Sequence, residues 1–459
     1  LSKYEIDVLV LEKENDVGNV SSMANSAIIH SGYDPEPGSL KAKFNVLGNA
    51  MFDQIAEELD VDFGRIGSLT IAFNDGDLKS LALLKERAEQ NGVKVEILSA
   101  EETLKSEPHL NPDVKGSLYA PSAGIINPFT LCAHAMENAL DNGVELHLNE
   151  EVISLSHRET YFQVKTSKAT YETKCLVNAS GLQSDYFAAM MGDKGFAIKP
   201  RKGEYFILDH YAPHLINHVI FPLPSKLGKG ILVSPTTSGN YIIGPSSEEI
   251  VNRDDFDTDA LTLEKVKASA LAMIPSIPFK EVIRVFSGLR ATPSTHDFII
   301  KEEEQRGMFT LGGIESPGLV SSPAIARYAV EELISKRITL KKKESYNPQI
   351  KKYISPKRLS LEEKNALVKR NKDYGLIICN CEKVTLGEIK DVLSRSLPCR
   401  SLKAIKKRTR AGFGKCQNGF CQSKLVALLS DFYHIDMKDV LYDGEGSNIL
   451  KEETKRHLT

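Results

Sequence analysis

The stretch DVLVLE, residues 7–12, is apolar from Val8 through Leu11 and closes on Glu12. A run that is apolar at every position suits a strand covered on both faces, as in a parallel sheet. In a dinucleotide-binding βαβ unit, a carboxylate ending the second strand holds ribose hydroxyls about 20 residues after a Gly-rich turn. Glu12 stands where that carboxylate belongs, and the count places the glycines upstream of Leu1. LSKYEI (1–6) reads as the end of a helix entering this strand. The sequence is therefore expected to begin inside its fold, with the fingerprint and any targeting segment before it.

Downstream, β and α patterns alternate. SLKAKFNVLGNAMFDQIAEEL (39–59) predicts one helix, GSLTIAF (67–73) a strand and residues 77–91 a helix. NPFTLCAHAMENALDNG (127–143) carries both end signals of a helix: Asn127 caps it, Pro128 sits in its first turn and Gly143 stops it. VELHL (144–148), a meander over 152–173 and CLVNA (175–179) follow as strands. From 196 to 300 the pattern is mostly β, and then come a strand at MFTLGG (308–313) and a helix at SSPAIARYAVEELISK (321–336). This alternation predicts an α/β fold with a doubly wound sheet. Two strands break into small residues. In LVNASGLQSD (176–185), Gly181 lets a ligand approach the backbone. In GGIESPGLVSSPAIA (312–326), free amides and a helix N-terminus suit an anion or an electron-rich ring. Both patterns also fit an ordinary strand–loop–helix connection.

The chain has 459 residues, enough for about three domains. Hydrophobic residues at 41% and charged residues at 26% exclude a disordered or collagenous chain. No run approaches the roughly 18 apolar residues of a spanning helix. A net charge of -3 argues against a nucleic-acid partner. Residues 336–372 depart from this balance, with thirteen Lys/Arg against three Glu. Such a run fits a linker lying on an acidic face, or a docking segment for an acidic partner or anionic membrane.

Four of the seven cysteines gather near the C-terminus: Cys379 and Cys381 as C-x-C, Cys416 and Cys421 as C-x4-C. Four thiolates in two close pairs hold one tetrahedral metal or one [2Fe–2S] cluster in a reducing compartment. Structural zinc more often uses C-x2-C pairs. Gly412, Gly414 and Gly419 suit a tight ligand loop, and a helix is expected at 385–396 between the pairs. Cys132, Cys175 and Cys399 read as isolated thiols.

NSAIIHSGYDPEPGSLKAK (25–43), LVNASGLQSD, PRKGEYFIL (200–208), GLRATPSTHDFII (288–300) and LGGIESPGLVSSPAIA (311–326) together resemble the FAD-dependent oxidoreductases of the D-amino-acid oxidase superfamily. The likeness runs in order along essentially the whole chain. Within that superfamily the sequence is similar above all to the large subunits of anaerobic glycerol-3-phosphate dehydrogenases. L-2-hydroxyglutarate dehydrogenases share the NS…IHSG…PGSLKA stretch. The cysteine region resembles the bacterioferritin-associated-ferredoxin-like [2Fe–2S] domain, with all four ligand positions matched.

The resemblance implies a two-lobed FAD domain over 1–338, a basic linker at 339–372 and a small helical [2Fe–2S] domain at 373–445. The FAD lobe would be discontinuous, and the antiparallel substrate sheet would come mainly from 64–124 and 196–290. It implies that Glu12 holds the adenosine ribose, that Ser22, Asn25 and Ser26 line the flavin side and that Val152 presents backbone to the adenine. Gly181 would pass the pyrophosphate, and Gly313, Ile314, Gly318, Leu319 and Val320 would stand at the isoalloxazine ring. Met23 falls where relatives often carry a basic residue. The expected reaction is oxidation of a small anionic secondary alcohol, foremost sn-glycerol 3-phosphate to dihydroxyacetone phosphate, with an L-2-hydroxy acid as the alternative substrate. The cluster would relay electrons towards further flavin or iron–sulfur subunits and a quinone, from the cytoplasm at the inner face of the membrane.

Such a reaction needs a base for the hydroxyl proton and cations for the anionic end of the substrate. His30, in IIHSG, has the right intrinsic pKa for the base. Arg290, in GLRAT, suits bidentate anion binding, and Lys202, in PRKGEY, is a second cation. A loop-packing histidine and an inter-strand arginine fit the same letters.

Overall fold

The computed structural model describes residues 1–210, 213–224, 230–304 and 307–452. Strand β1 (Leu9–Leu11) is followed by helices α1 (Leu40–Asn49) and α2 (Phe52–Glu58), strands β2 (Ser68–Ala72) and β3 (Gly116–Ala120), helix α3 (Pro128–Asp141) and strand β4 (Glu145–His147). Next come β5 (Leu176–Asn178), β6 (Ile198–Leu208), helix α4 (Ala260–Met273), β7 (Val282–Pro293), β8 (Ile299–Glu302), β9 (Met308–Gly312) and helix α5 (Gly318–Tyr328). The C-terminal part holds α6 (Leu361–Arg370), β10 (Ile377–Cys379), α7 (Leu386–Leu393), α8 (Leu402–Thr409) and α9 (Gln422–Tyr433).

Parallel pairing occurs in three places among the described residues, one of them inside the larger sheet, where Val219–Phe221 lies along β2 in the register Val219↔Ser68. β1 lies along β4 in the register Leu9↔Glu145, and β5 lies along β9 in the register Leu176↔Met308. β8 adds antiparallel to β9. Among the described residues β1 has one strand neighbour, so it is less covered than its apolar run predicts, and Leu9 stays 36% exposed. The second lobe is a nine-stranded sheet among the described residues, in which β6 and β7 form a long antiparallel ladder and β2 and β3 a shorter one. Helix α4 covers one face of it, burying Val266, Ala270 and Met273 against Leu208, Ile220 and Ile243.

Several sequence expectations change. The helix expected over 39–59 is broken at Ala50 and Met51. Near the break, a Cβ on Gly48 would stand 1.9 Å from the Val320 carbonyl oxygen, so α1 and α5 cross at backbone contact. Asn49 turns its side chain to the carbonyls of His30 and Ser122. Helix α4 interrupts a region read as mostly β; its signal is the buried series Thr262, Val266, Ala270 and Met273 behind an Asp259 cap. Residues 1–6 form a turn with a bridge from Tyr4 to Lys342 rather than a helix end.

The basic stretch contains α6, capped by Ser360 and Glu363. Its charges meet acids on both flanking parts: Arg358 with Asp60 and Asp62, Lys341 with Glu5, Lys357 with Glu382 and Lys351 with Asp391. No helix among the described residues is long and apolar enough to cross a membrane.

The C-terminal part packs on the first through buried charge. Arg408 and Lys407 of α8 close on Asp16 at 2.8 and 2.7 Å. Arg395 meets Glu137 of α3 at 2.6 Å, with both side chains 3% exposed, and lies 3.4 Å above the Tyr353 ring. Burial opposes the charge on Asp16, but Arg408 and Lys407 overcome it and hold its carboxyl below the usual range.

Candidate active site and thiol centre

In α/β sheets ligands bind outside the carboxyl ends of the parallel strands. Glu12 follows β1, Gly181 follows β5 and Gly313 follows β9. The Glu12 carboxylate accepts the Glu14 amide at 2.9 Å, and burial raises its pKa. Its carbonyl accepts the Glu150 amide, which brings Val152 and the start of the meander alongside. Gly181 has φ +58 and open space where a Cβ would point, so the approach there is unobstructed.

The flavin-side residues of the sequence reading line up along the ladder of β6 and β7. A Cβ on Gly288 would stand 2.1 Å from the Ala24 carbonyl oxygen, which seats residues 21–25 against the sheet. Ser21 Oγ donates to the Leu289 carbonyl at 2.6 Å. Asn25 holds the turn, donating to the Ser22 carbonyl and accepting from the Ala27 amide. The hydroxyls of Ser22 and Ser26 have no hydrogen-bond partner among the described residues. Gly313, at φ +63, packs on Pro293. Glu315, just beyond it, takes Lys41 at 2.7 Å and the Thr292 hydroxyl at 2.7 Å. Gly318, Leu319 and Val320 form the first turn of α5, and Ile314 lies against Gly318.

Strand alternation sorts the two candidate cations. Arg290 pairs with Arg201 and lies on the same face as Gly288 and Thr292, the face carrying Ala24 and Glu315. Its Nη2 donates to the Ser246 carbonyl at 3.1 Å. Lys202 pairs with Leu289 and therefore points to the opposite face. There it binds Asp255 at 2.9 Å. The structure does not bring Lys202 to the cleft. His30 leaves the short strand Ile28–Ile29 with its carbonyl held by Asn45 and Asn49 of α1 at 2.7 and 3.0 Å, and its ring centroid is 5.8 Å from that of Phe221. Ser31 Oγ and Asn45 Oδ1 beside it are buried without a described partner.

The four clustered cysteines come together as two pairs. Cys379 faces Cys421, and Cys381 faces Cys416. Hydrogen bonding between Cys379 and Cys421 lowers the pKa of the first thiol and raises that of the second. The amides of Gly412 and Glu382 point at the Cys379 sulfur, and that of Cys416 at Cys381. Gly412 has φ +93, and a Cβ on Gly414 would stand 2.4 Å from Cys381 Cβ, so both glycines let the loop close. Among the described residues no three His, Cys, Asp or Glu side chains converge as a site for one ion. Two thiol pairs with amides aimed at sulfur suit a two-iron cluster.

Beside this centre, Lys406 is buried over the Phe413 ring, and desolvation pulls its ammonium down to about 8. Burial pushes Cys132, Cys175 and Cys399 each up to about 11, which leaves them inert thiols. The sequence reading missed Asp16, Glu137, Glu315 and Glu382, acids that hold these elements together. Glu382 takes Arg410 at 2.9 Å and Lys357 at 3.3 Å. Its place beside Cys381 is the one signal that could have singled it out.

Residues 1–332 match the model of the FAD dependent oxidoreductase family, and residues 377–431 match that of the BFD-like [2Fe-2S] binding domain. The chain is 43% identical to a glycerol 3-phosphate dehydrogenase of Caloramator mitchellensis, over 100% of this chain and 96% of the relative. It is 35% identical to a glycerol 3-phosphate oxidase of Mycoplasma genitalium, over 76% of this chain and 93% of that protein. Among solved structures, the dithionite-reduced L-alpha-glycerophosphate oxidase of Mycoplasma pneumoniae with FAD bound superposes with a TM-score of 0.72 at 30% identity, covering 76% of this chain and 93% of that one.

Proposed function

The chain belongs to the FAD dependent oxidoreductase family, and from that premise we propose that it oxidises sn-glycerol 3-phosphate to dihydroxyacetone phosphate and sends the electrons out through its [2Fe–2S] unit. One observation carries this reading: the dehydrogenase relative matches the whole chain, thiol centre included, whereas the oxidase match spans 76% of it. An enzyme that returned electrons directly to oxygen would have no use for the additional unit.

When bound, FAD supplies the hydride acceptor and the cluster a one-electron carrier. The chain's own residues supply the rest. Glu12 holds the ribose hydroxyls while Val152 presents backbone and Gly181 leaves room for the pyrophosphate. The free hydroxyls of Ser22 and Ser26, the Asn25 turn and the loop from Gly313 to Val320 line the flavin side. His30, its backbone fixed by two asparagines, takes the substrate hydroxyl proton. Arg290, on the cleft face of β7, binds the phosphate. Cys379, Cys381, Cys416 and Cys421 would hold the cluster through their thiolates. Beyond the chain, the electrons pass to partner subunits and a quinone, with the protein peripheral to the membrane. Quinone reduction by this chain alone would remove the need for those partners.

Anaerobic bleaching of the flavin tests the substrate. Glycerol 3-phosphate should bleach it within one turnover, and L-2-hydroxyglutarate should not. Bleaching by the hydroxy acid alone would overturn the assignment.

A further inference from the structure

Helix α8 buries three consecutive cations, Lys406, Lys407 and Arg408, none more than 7% exposed. Lys407 and Arg408 share the Asp16 carboxylate. Lys406 has no carboxylate partner among the described residues. Its ammonium lies 4.7 Å from the Phe413 ring centroid. The charges acting on it from Arg284, Lys403 and Arg410 have its own sign, and the opposite sign comes from the Cys421 thiol. A buried ammonium without a counter-charge is costly, and a phenyl face offsets little of that cost. The cluster would complete the inventory. Four thiolates outweigh the charge of the iron–sulfide core and leave a dianion when oxidised, which becomes a trianion after one electron is added.

We propose that Lys406 is the counter-cation of the [2Fe–2S] cluster and raises its reduction potential, so that the cluster accepts electrons from the reduced flavin. The inference rests on reading the four cysteines as cluster ligands. One electron enters the cluster, and no bond or proton moves. The fixed positive charge favours the more negative state, and the water-poor surroundings strengthen its field.

The test is an EPR-monitored redox titration of the loaded wild-type protein, Lys406→Met and Lys406→Arg. The Met variant should show a reduction equilibrium shifted about tenfold towards the oxidised cluster, a midpoint about 59 mV lower for a one-electron couple. The Arg variant should titrate close to wild type. Heat unfolding of chelator-stripped protein gives a second readout. Stripped Lys406→Met should be at least as stable as stripped wild type, because it drops an unpaired buried charge. A wild-type midpoint in the fully loaded Met variant, or a stripped Met variant that unfolds earlier than wild type, would overturn the proposal. Wild-type protein that binds iron without an iron–sulfur EPR signal on reduction would instead overturn the cluster reading beneath it.

Discussion

The thiol centre and the flavin cleft are assembled on opposite plans. The centre takes all four sulfurs from the single stretch 379–421, and its loop closes through Gly412, Gly414 and the left-handed backbone of Gln417 and Asn418. The proposed cleft would draw on Glu12, Ser22 to Ser26, Val152, Gly181, Arg290 and Gly313 to Val320, residues on separate segments that the β1–β4 and β5–β9 pairs and the β6–β7 ladder position. A site within reach of one loop is recorded in local spacing. A site at strand ends is recorded in register, which no short segment contains.

If the two regions are as separable as they look, Cys416→Ser should abolish the visible and EPR signature of the cluster while substrate still reduces the flavin at the wild-type rate. Anaerobic stopped-flow absorbance reads both, and loss of flavin reduction would break the distinction. Asp16→Ala tests what joins the regions. It strands two buried cations of α8, and breaking a buried pair costs about 3–5 kcal/mol. Calorimetry should then show the C-terminal part melting first, as its own transition; a single unshifted transition would mean that Asp16 is not the anchor.

The same seam predicts a dependence on pH. His134 of α3 is buried, lies 2.6 Å from the Leu59 carbonyl through Nδ1 and stacks on Tyr353 at 4.3 Å between ring centroids. Desolvation lowers its pKa from 6.5 to about 4. The unfolded chain therefore binds the proton first, and stability complete above pH 6.5 should fall as the pH drops towards 4, by about 3 kcal/mol. Denaturant titrations across that window should lose this slope in His134→Gln. A slope that persisted would assign it to other groups.

The cleft has its own contrast. Arg290→Ala removes a charged hydrogen-bond donor from the substrate face, so flavin reduction at low substrate should fall by about 1.5–3 kcal/mol, roughly ten- to a hundred-fold, with FAD retained. Lys202→Met, on the far face, should change that rate by less than about twofold, as for a residue away from the site. A Lys202 effect as large as that of Arg290 would show that the two faces are not separated as the register implies.

Much of the first unit was readable residue by residue. Asn127, Pro128 and Gly143 bracket α3 within two residues of its ends, and the strands at 68–72, 145–147, 176–178 and 308–312 lie inside their expected spans. The break between α1 and α2 was not readable, because it follows from the contact of Gly48 with α5, an element far away in sequence. The face that Lys202 occupies was not readable for a similar reason: its type suited an anion clamp, but its pairing with Leu289 sets it opposite Arg290, beside Asp255.

What the letters alone determined were local matters: which segments are strands and helices, where caps and tight turns fall, and that four thiols lie in two short motifs. These depend on neighbours a few residues apart, whose geometry the chain cannot escape. Tertiary structure decided which face each cation occupies and which charges lie inside. Nothing in the run Lys406, Lys407, Arg408 marks it as interior, since such runs usually face water. It is buried because Asp16, 392 positions away from Arg408, arrives to pair with two of the three cations.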